Sequence, residues 1–232
     1  MKIKICAIAK DENHYLEEWV NHYLNLGVDE IIIYDNNSAI PINMNNSKVF
    51  IKQWLDKDFG SQSRCYLNCC QNNRGCDFIG FFDIDEFYYS KNMDIKKDIK
   101  ELKDKFGNFE GLGIYWRIYG SNPAFLEKQS KDSYTMWYGD KHIKSFVNPS
   151  KVLNFPDPHK AELIGSYIDE NGKSIVASTG VHTSSNIWIK HIFTRSLSEF
   201  QEKMERGDAN TREKNRTLND FIQYNLKCVN ND

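Results

Sequence analysis

The sequence FIGFFDIDEF, at residues 78–87, joins an apolar run to three acidic residues. Unpaired carboxylates are costly to bury, so Asp83, Asp85 and Glu86 need a cation or an exit to water. If the chain is extended here, Asp83 and Asp85 point to the same side with Cα atoms about 6–7 Å apart. That spacing suits one hard cation, Mg²⁺ or Mn²⁺, with coordination positions left for phosphate oxygens. The pattern therefore predicts a site for a metal and a diphosphate.

Two other interpretations of this acidic group stay open. One is a solvated strand end. The other is a metal-dependent phosphatase of the haloacid-dehalogenase type, which also places D-x-D after an apolar strand, although Phe87 stands where that motif has a small Thr or Val. An EF-hand loop is excluded because Tyr88 occupies its obligatory Gly position. The chain lacks G-x-x-x-x-G-K-[ST] and G-x-G-x-x-G, which argues against a P-loop or a dinucleotide fingerprint.

Composition narrows the class of protein. The 232 residues fit one large domain, or a domain with a helical appendage, and a net charge of −2 argues against general nucleic-acid binding. The sequence contains no run of about 18 apolar residues, so no membrane-spanning helix is predicted. The start, MKIKICAIAK, is too charged for a signal peptide, so we interpret the six cysteines as reduced thiols of a cytoplasmic protein. A zinc site among Cys65, Cys69, Cys70 and Cys76 lacks paired C-x-x-C spacing.

The spacing of apolar residues predicts the strands and helices that must position the acidic group. Residues 3–9 and 31–34 are continuous apolar runs on either side of a helical pattern at 15–27, which predicts a βαβ unit of a parallel sheet. Asp11 and Asn13 are predicted to cap that helix. Further strands are predicted at 48–54, 78–84, 111–120, 142–152 and 174–178, and helices at 61–75, 94–106, 196–206 and 211–228. The predicted fold class is α/β, a mostly parallel sheet flanked by helices, with a helical C-terminal tail.

Four stretches occur in a recognisable order: AIAKDENHYLEEWVNHYLNLGVDEIIIYDNNS, FFDIDEF, HIKSFVNPSKV and IKHIFTRSLSEFQEKMERG. Together they resemble the GT-A-type glycosyltransferases of family 2/92 kind, from the first strand to about Gly207. The resemblance implies a GT-A-like fold over residues 1–207, with a nucleotide-binding half at about 1–110 and an acceptor half at about 111–195. Residues 208–232 would form a helical extension.

The resemblance also implies roles for individual residues. Asp83, Asp85 and His191 would hold Mn²⁺ or Mg²⁺, with His182 and His159 as alternatives to His191. Glu86 would accept a hydrogen bond behind the metal or cap a turn. Asp35 is expected to contact the nucleotide or, alternatively, to cap an Asx turn. Arg64 is expected to contact the sugar or phosphate or, alternatively, to be an exposed side chain in solvent. The residues expected to contact the nucleotide or its phosphates are Ala9, Lys10, Glu12, Asp35, Asn36, Arg64, Asp83 and Lys144.

Sugar transfer with inversion would need a base for the acceptor hydroxyl. Asp157 and Glu162 are the candidates, with Asp132 and Asp140 as alternatives. Lys144 or Arg195 would neutralise the leaving diphosphate. Aromatic residues near these motifs would stack on a sugar or belong to the core: Trp116, Tyr119, Trp137 and Tyr138.

The resemblance implies a metal-dependent glycosyltransferase that moves sugar from a nucleotide sugar, a UDP-sugar, to a glycan or lipid-linked acceptor in surface polysaccharide or lipopolysaccharide synthesis. The alternatives are the phosphatase and a non-catalytic carbohydrate-binding module. A peripheral contact with the inner face of an anionic membrane is a further hypothesis. It rests on a group of basic residues, for which a solvated helix face is the alternative: Lys203, Arg206, Arg212, Lys214 and Arg216.

Overall fold

The structure is a computed structural model that describes residues 1–121, 128–182, 186–206 and 216–232. Its helices in these ranges are α1 Asn13–Asn25, α2 Ser61–Gln71, α3 Ile95–Phe106, α4 Leu197–Arg206 and α5 Leu218–Lys227. Its strands are β1 Ile3–Ala9, β2 Glu30–Asp35, β3 Val49–Gln53, β4 Phe78–Phe81, β5 Glu86–Ser90, β6 Gly111–Tyr119, β7 Met136–Val147, β8 Val152–Asn154, β9 Glu162–Leu163, β10 Tyr167–Ile168, β11 Ile187–His191 and β12 Asn230–Asn231.

The first four strands form the predicted parallel half of the sheet, in the order β3-β2-β1-β4. Ile5 of β1 lies between Ile31 of β2 and Gly80 of β4. Strands β1, β2 and β4 are continuous apolar runs because their residues are buried on both faces of the sheet, whereas the edge strand β3 is mostly exposed. The α1 face that packs on the sheet carries Leu16, Trp19, Val20 and Tyr23. The predicted α/β class and the βαβ unit are confirmed.

The second half of the sheet is mixed. Its order is β4-β7-β6-β11-β5, with β7 antiparallel to β4 and β6, and β11 parallel to β6. On a flat sheet four strand spacings would separate β4 from β5, about 19 Å. The five residue steps from Phe81 to Glu86 span at most about 18 Å. The sheet therefore has to curl, and the acidic turn crosses the opening at the carboxyl end of β4.

Several predicted elements differ from the structure. The strand predicted at 78–84 ends at Phe81, so the acidic residues lie in a turn rather than in extended chain. The strand predicted at 174–178 is reduced to an isolated bridge, in which Ser174 pairs antiparallel with Ile168 of β10. The turn before it is held by Asp169 Oδ1, which accepts hydrogen bonds from the backbone N–H groups of Asn171 and Lys173. Helix α5 begins at Leu218, after a capping box at Thr217, and the predicted helix start near 211 lies outside the described residues.

The ends of two helices also bear on the predictions. Asp11 does not cap α1, because its carboxylate accepts a hydrogen bond from the backbone N–H of Ala39. The capping box at Ser196 and Glu199 is confirmed, with the Ser196 N–H donating to Glu199 Oε2 at 2.9 Å. The predicted helix end at Gly207 lies outside the described residues. In the described part of the chain, none of the helices combines the length and the apolar character needed to cross a bilayer.

Candidate active site

Helix α1 holds the acidic turn in place. The indole Nε1 of Trp19 donates to the carbonyl oxygens of Asp83 and Glu86, at 2.9 and 3.0 Å. The hydroxyl of Tyr23 donates to the same Glu86 oxygen at 3.0 Å, and its ring stacks on Phe82. Because these donors are buried, they fix the backbone of the turn and thereby the directions of its three carboxylates.

Asp83 faces the fully buried ammonium of Lys144. Lys144 Nζ lies 2.8 Å from Asp83 Oδ2, and Asp83 Oδ1 accepts from Gln62 Nε2 at 2.7 Å. Burial alone would raise the pKa of Asp83, but the positive charge of Lys144 holds it below its usual value. Burial lowers the pKa of Lys144, but Asp83 and Glu86 together raise it to about 12. The side chain of Asp83 is 36 % exposed, so this carboxylate still meets water or a ligand.

Glu86 lies behind Asp83, fully buried. Its Oε2 accepts from the backbone N–H of Asp83 at 2.9 Å and lies 3.4 Å from Lys144 Nζ. Burial raises the pKa of Glu86 well above its usual value despite that ammonium. Among the described residues its Oε1 has no hydrogen-bond partner, and neither does Nδ1 of His191, 3.9 Å away. A small movement would join these two atoms in a hydrogen bond.

Asp85 meets His191 and Lys203. Its Oδ1 lies 3.6 Å from His191 Nε2, and its Oδ2 accepts from Lys203 Nζ at 2.6 Å. Its backbone carbonyl accepts from the N–H of Ile192, which ties the turn to the end of β11. Burial would raise the pKa of Asp85, but Lys203 and His191 hold it well below its usual value. Burial lowers the pKa of Lys203 to about 8.

The donor set of Asp85 and His191 fits a divalent metal. A carboxylate oxygen and an imidazole nitrogen face each other, and the second ring nitrogen of His191 points at the buried Glu86. Metal-binding histidines characteristically donate this second N–H to a carboxylate or carbonyl. No group of three or more His, Cys, Asp or Glu side chains in the described ranges is arranged around one metal position. Asp85 and His191 would therefore hold the ion with oxygens of a substrate.

Arg195 connects this site to the end of β1. Its Nη1 lies 3.0 Å from Glu12 Oε2, its guanidinium lies 3.5 Å from the Tyr15 ring centre, and both charged groups are buried. The backbone of Arg195 is left-handed, with φ at 52°. A non-glycine residue in that conformation is uncommon and is stabilised by its surroundings, which here are the ion pair and the ring. Glu12 thus pairs with Arg195 beside the acidic turn.

The other residues predicted to contact the nucleotide brace loops at the strand ends. Asp35 is buried, and its carboxylate accepts from the N–H groups of Ser38 and Ile42, which is the Asx-turn alternative. Asn36 donates to the carbonyl oxygens of Trp54 and Asp56. Ala9 pairs with Asp35 in the sheet register, and Lys10 is exposed next to it.

Arg64 is exposed at the start of α2 and forms a bidentate ion pair with Asp56. Its Nε lies 2.6 Å and its Nη2 2.9 Å from the two carboxylate oxygens. Its Nη1 donates to the carbonyl of Phe59 at 2.8 Å. The guanidinium therefore stabilises the loop between β3 and α2, and its role toward a sugar or phosphate stays a prediction.

The two predicted bases lie in the segment after β7. Asp157 Oδ1 accepts from the N–H groups of His159 and Lys160, so it caps its own turn. Glu162 is exposed on β9. Of the alternatives, Asp132 accepts from the Tyr89 hydroxyl, and Asp140 lies 2.5 Å from His142 Nδ1.

Three histidines gather around Trp116 of β6. The ring centre of Trp116 lies 4.4 Å from His191, 5.1 Å from His142 and 5.1 Å from His159. Trp116 is 9 % exposed, and its indole Nε1 has no hydrogen-bond partner in the described part of the chain. Trp116 is therefore a core residue that holds three imidazoles beside the acidic turn. His182 lies elsewhere, against Tyr115.

Sequence reasoning missed three of the residues that shape this site: Gln62, Lys203 as a partner of Asp85, and His142. The sequence predicts Lys203 as part of the basic group at the junction of the last two helices, yet it is 5 % exposed. A signal was present in the sequence, because Lys203 follows the buried Phe200 by three residues and so shares its helix face. His142 gave no comparable signal, since its partner Asp140 is polar and its strand is partly exposed.

The family model of glycosyltransferase family 92 matches residues 4–226, nearly the whole chain. The chain belongs to glycosyltransferase family 92. A family 92 protein of Ricinus communis is 32 % identical over 232 residues, covering 87 % of this chain and 39 % of the relative. One of Arabidopsis thaliana is 28 % identical over 175 residues, covering 65 % of this chain and 30 % of the relative. The chain thus spans well under half the length of these family members.

Solved structures give weaker likenesses. Staphylococcus aureus TarS aligns with a TM-score of 0.43 and 12 % identity, over 65 % of this chain and 48 % of that one. An active-site mutant of LgtC aligns with a TM-score of 0.34 and 10 % identity, over 63 % of this chain and 57 % of that one. Likenesses at this level decide nothing about the site, and the family membership rests on the sequence match.

Proposed function

We propose that this family 92 protein transfers a sugar from a UDP-sugar to a glycan or lipid-linked acceptor and depends on Mn²⁺ or Mg²⁺. The observation that carries the proposal is the convergence of Asp85 Oδ1 and His191 Nε2 in front of the buried Glu86. A bound divalent ion would act as a Lewis acid that offsets charge on the leaving diphosphate. Surface polysaccharide or lipopolysaccharide synthesis, on the cytoplasmic side of a membrane, is the setting that we infer.

The chain's own cations support a site for a leaving diphosphate. Lys144, Lys203 and Arg195 are each at most 5 % exposed and come from three different segments to the acidic turn. Preorganised positive groups in a site shielded from water stabilise developing negative charge more strongly than they would in solvent. Lys144 and Lys203 now neutralise Asp83 and Asp85, so an incoming metal and diphosphate would exchange with these contacts.

A phosphatase mechanism is less consistent with the contacts of Asp83. The haloacid-dehalogenase chemistry uses the first acid of D-x-D as a nucleophile, yet both oxygens of Asp83 are engaged, one by Lys144 and one by Gln62. A carbohydrate-binding module would need neither the buried cations nor His191. A screen of nucleotide sugars for metal-dependent hydrolysis separates the three functions. The transferase releases UDP only from a sugar donor, the phosphatase releases phosphate from simple phosphoesters, and the module does neither.

We predict that UDP binds more tightly than ADP or GDP when Mn²⁺ is present. The ends of β1 and β2 resemble the nucleotide side of family members, and here they are joined by the hydrogen bonds of Asp11 with Ser38 and Ala39. A loop pair held in this way presents a fixed surface to one nucleobase. Isothermal titration of the three nucleotides measures the preference, and equal affinities would contradict it.

We base the proposed peripheral membrane contact on helix α5 rather than on the group of basic residues. Lys203 is buried, Arg216 is half-buried with its guanidinium above the Phe193 ring, and the side chains of Arg206, Arg212 and Lys214 lie outside the described ones. Helix α5 instead exposes an apolar stripe of Leu218, Ile222 and Leu226, and Val229 just beyond its end is also exposed. A helix with such a stripe can lie in the interface of a bilayer.

We predict that Ile222→Glu weakens binding to vesicles of phosphatidylcholine and phosphatidylserine several-fold. The substitution places a charge within the apolar stripe, where Ile222 is 52 % exposed. Gln223→Glu adds the same charge at an exposed neighbouring position and is the matched control. Vesicle flotation is the measurement. Failure of the unchanged protein to float, or equal loss in both variants, would end the membrane proposal.

A further inference from the structure

We propose that His142, oriented by Asp140, is the catalytic base that removes the proton from the acceptor hydroxyl. This inference rests on the proposed glycosyltransferase function and names a residue for its chemical step. It replaces neither the metal site proposed at Asp85 and His191 nor the diphosphate site.

The first observation is the pair itself. His142 Nδ1 lies 2.5 Å from Asp140 Oδ1, and the same oxygen accepts from the His142 backbone N–H at 2.9 Å. The Asp140 side chain is 18 % exposed and that of His142 is 35 % exposed. A carboxylate that accepts from Nδ1–H fixes the tautomer in which Nε2 carries the lone pair, and it stabilises the imidazolium that forms when Nε2 takes a proton.

The second observation is the position of the pair. Its imidazole packs on Trp116, and Trp116 packs on His191, whose Nε2 faces Asp85. Burial raises the pKa of Asp140, but the contacts with His142 and the nearby charge of His191 hold it below its usual value. The pair is thus linked through Trp116 to the residues around the acidic turn, and His142 lies two residues before Lys144 on the same strand, β7. An acceptor hydroxyl bound beside His142 would approach an anomeric carbon held by the diphosphate.

The rival side chains are committed elsewhere. His159 also packs on Trp116, but its Nδ1 lies 3.1 Å from the carbonyl oxygen of Ile143, so no carboxylate orients it. Asp157 accepts two backbone N–H groups of its own turn. Glu162 is exposed on β9. His142 therefore combines proximity to the site, an orienting carboxylate and an exposed edge, which the other candidates do not.

The proposed step balances as a single displacement. The acceptor oxygen forms a bond to the anomeric carbon while its proton passes to His142 Nε2. The bond from that carbon to the β-phosphate oxygen breaks, and its electron pair leaves with UDP. The imidazolium, held by Asp140, then returns the proton to water at its exposed edge. A displacement of this kind inverts the anomeric configuration.

The test compares two acceptors in His142→Asn. Azide needs no deprotonation to attack the anomeric carbon, whereas a hydroxyl acceptor does. We expect transfer to a methyl glycoside to fall about 10²–10⁴-fold, the usual contribution of a general base, while glycosyl azide formation stays within about twofold of the unchanged protein. Asp140→Asn should show the same acceptor-dependent loss. His14→Asn, an exposed histidine of α1, is the matched control.

The donor for this test is whichever of UDP-glucose, UDP-galactose and UDP-N-acetylglucosamine the unchanged protein turns over. If none is turned over with any acceptor, the proposed function itself fails. Equal losses with azide and hydroxyl acceptors in His142→Asn would assign His142 a structural role and overturn the inference. An acceptor-dependent loss in Asp157→Asn but not in His142→Asn would do the same. If His142→Asn does not fold, restoration of hydroxyl transfer by imidazole in His142→Ala decides the question.

Discussion

Replacing Asp85 by Asn is expected to slow sugar transfer by about 10³-fold, equivalent to the several kcal/mol that a bound cation contributes to a transition state. Asparagine keeps the size of the side chain and its ability to accept hydrogen bonds, so the variant removes chiefly one negative charge. That charge faces His191 Nε2 at 3.6 Å and is the centre of the proposed metal site. Initial rates of UDP release with saturating donor measure the effect.

The matched control is Asp104→Asn, which removes the same charge from an exposed position on α3. It should leave the rate within about twofold, as surface substitutions usually do. Turnover by Asp85→Asn at the rate of the unchanged protein would contradict the assigned metal site. Circular dichroism separates a loss of catalysis from a loss of folded protein.

The contacts of Asp85 reverse the expected effect of Asp85→Asn on stability in the absence of metal. From the sequence alone, repulsion between Asp83 and Asp85 predicts level or increased stability. In the structure the Asp85 carboxylate pairs with the buried ammonium of Lys203 at 2.6 Å. Breaking a buried pair leaves an uncompensated charge, so we now expect the variant to be less stable, not more stable.

Lys144→Met is expected to lower the free energy of unfolding by about 3 kcal/mol. The ammonium of Lys144 is completely buried and lies 2.8 Å from Asp83 and 3.4 Å from Glu86. Methionine fills the space, but it leaves Asp83 without its counter-charge. The loss should be at the lower end of the range for buried pairs, because Asp83 is 36 % exposed and water can partly solvate it.

Urea denaturation followed by circular dichroism measures this loss. Lys52→Met removes an exposed lysine from β3 and is the control, with an expected change below about 0.5 kcal/mol. A Lys144→Met protein as stable as the control would show that the buried ion pair contributes nothing to stability.

The parallel half of the fold is predictable from the sequence because its signal is local. The apolar run at residues 3–9 predicts a strand and forms β1 over the same range, since helix-covered parallel strands are apolar on both faces. The acidic group is equally recognisable, as a run of carboxylates after a buried strand, although the turn that holds it is not. These features depend on neighbouring residues, and no long-range contact is needed to recognise them.

The partners of the acidic turn were not predictable in the same way. Lys203 reaches Asp85 across 118 residues, and Arg195 reaches Glu12 across 183. Helix α5 shows a further limit. Its sequence carries two apolar stripes, and the structure exposes Leu218 and Ile222 but packs Phe221 against Phe200 and Tyr224 against Phe193. Periodicity identifies such a helix but cannot choose between two apolar faces.

Isothermal titration of UDP into the unchanged protein and into Asp85→Asn, each with and without Mn²⁺, tests the central claim most directly. We predict that the unchanged protein binds UDP tightly only when Mn²⁺ is present, and that Asp85→Asn shows no gain in affinity from the metal. An Asp85→Asn protein that retains the metal-dependent UDP affinity of the unchanged protein would contradict the metal–diphosphate site proposed at Asp85 and His191.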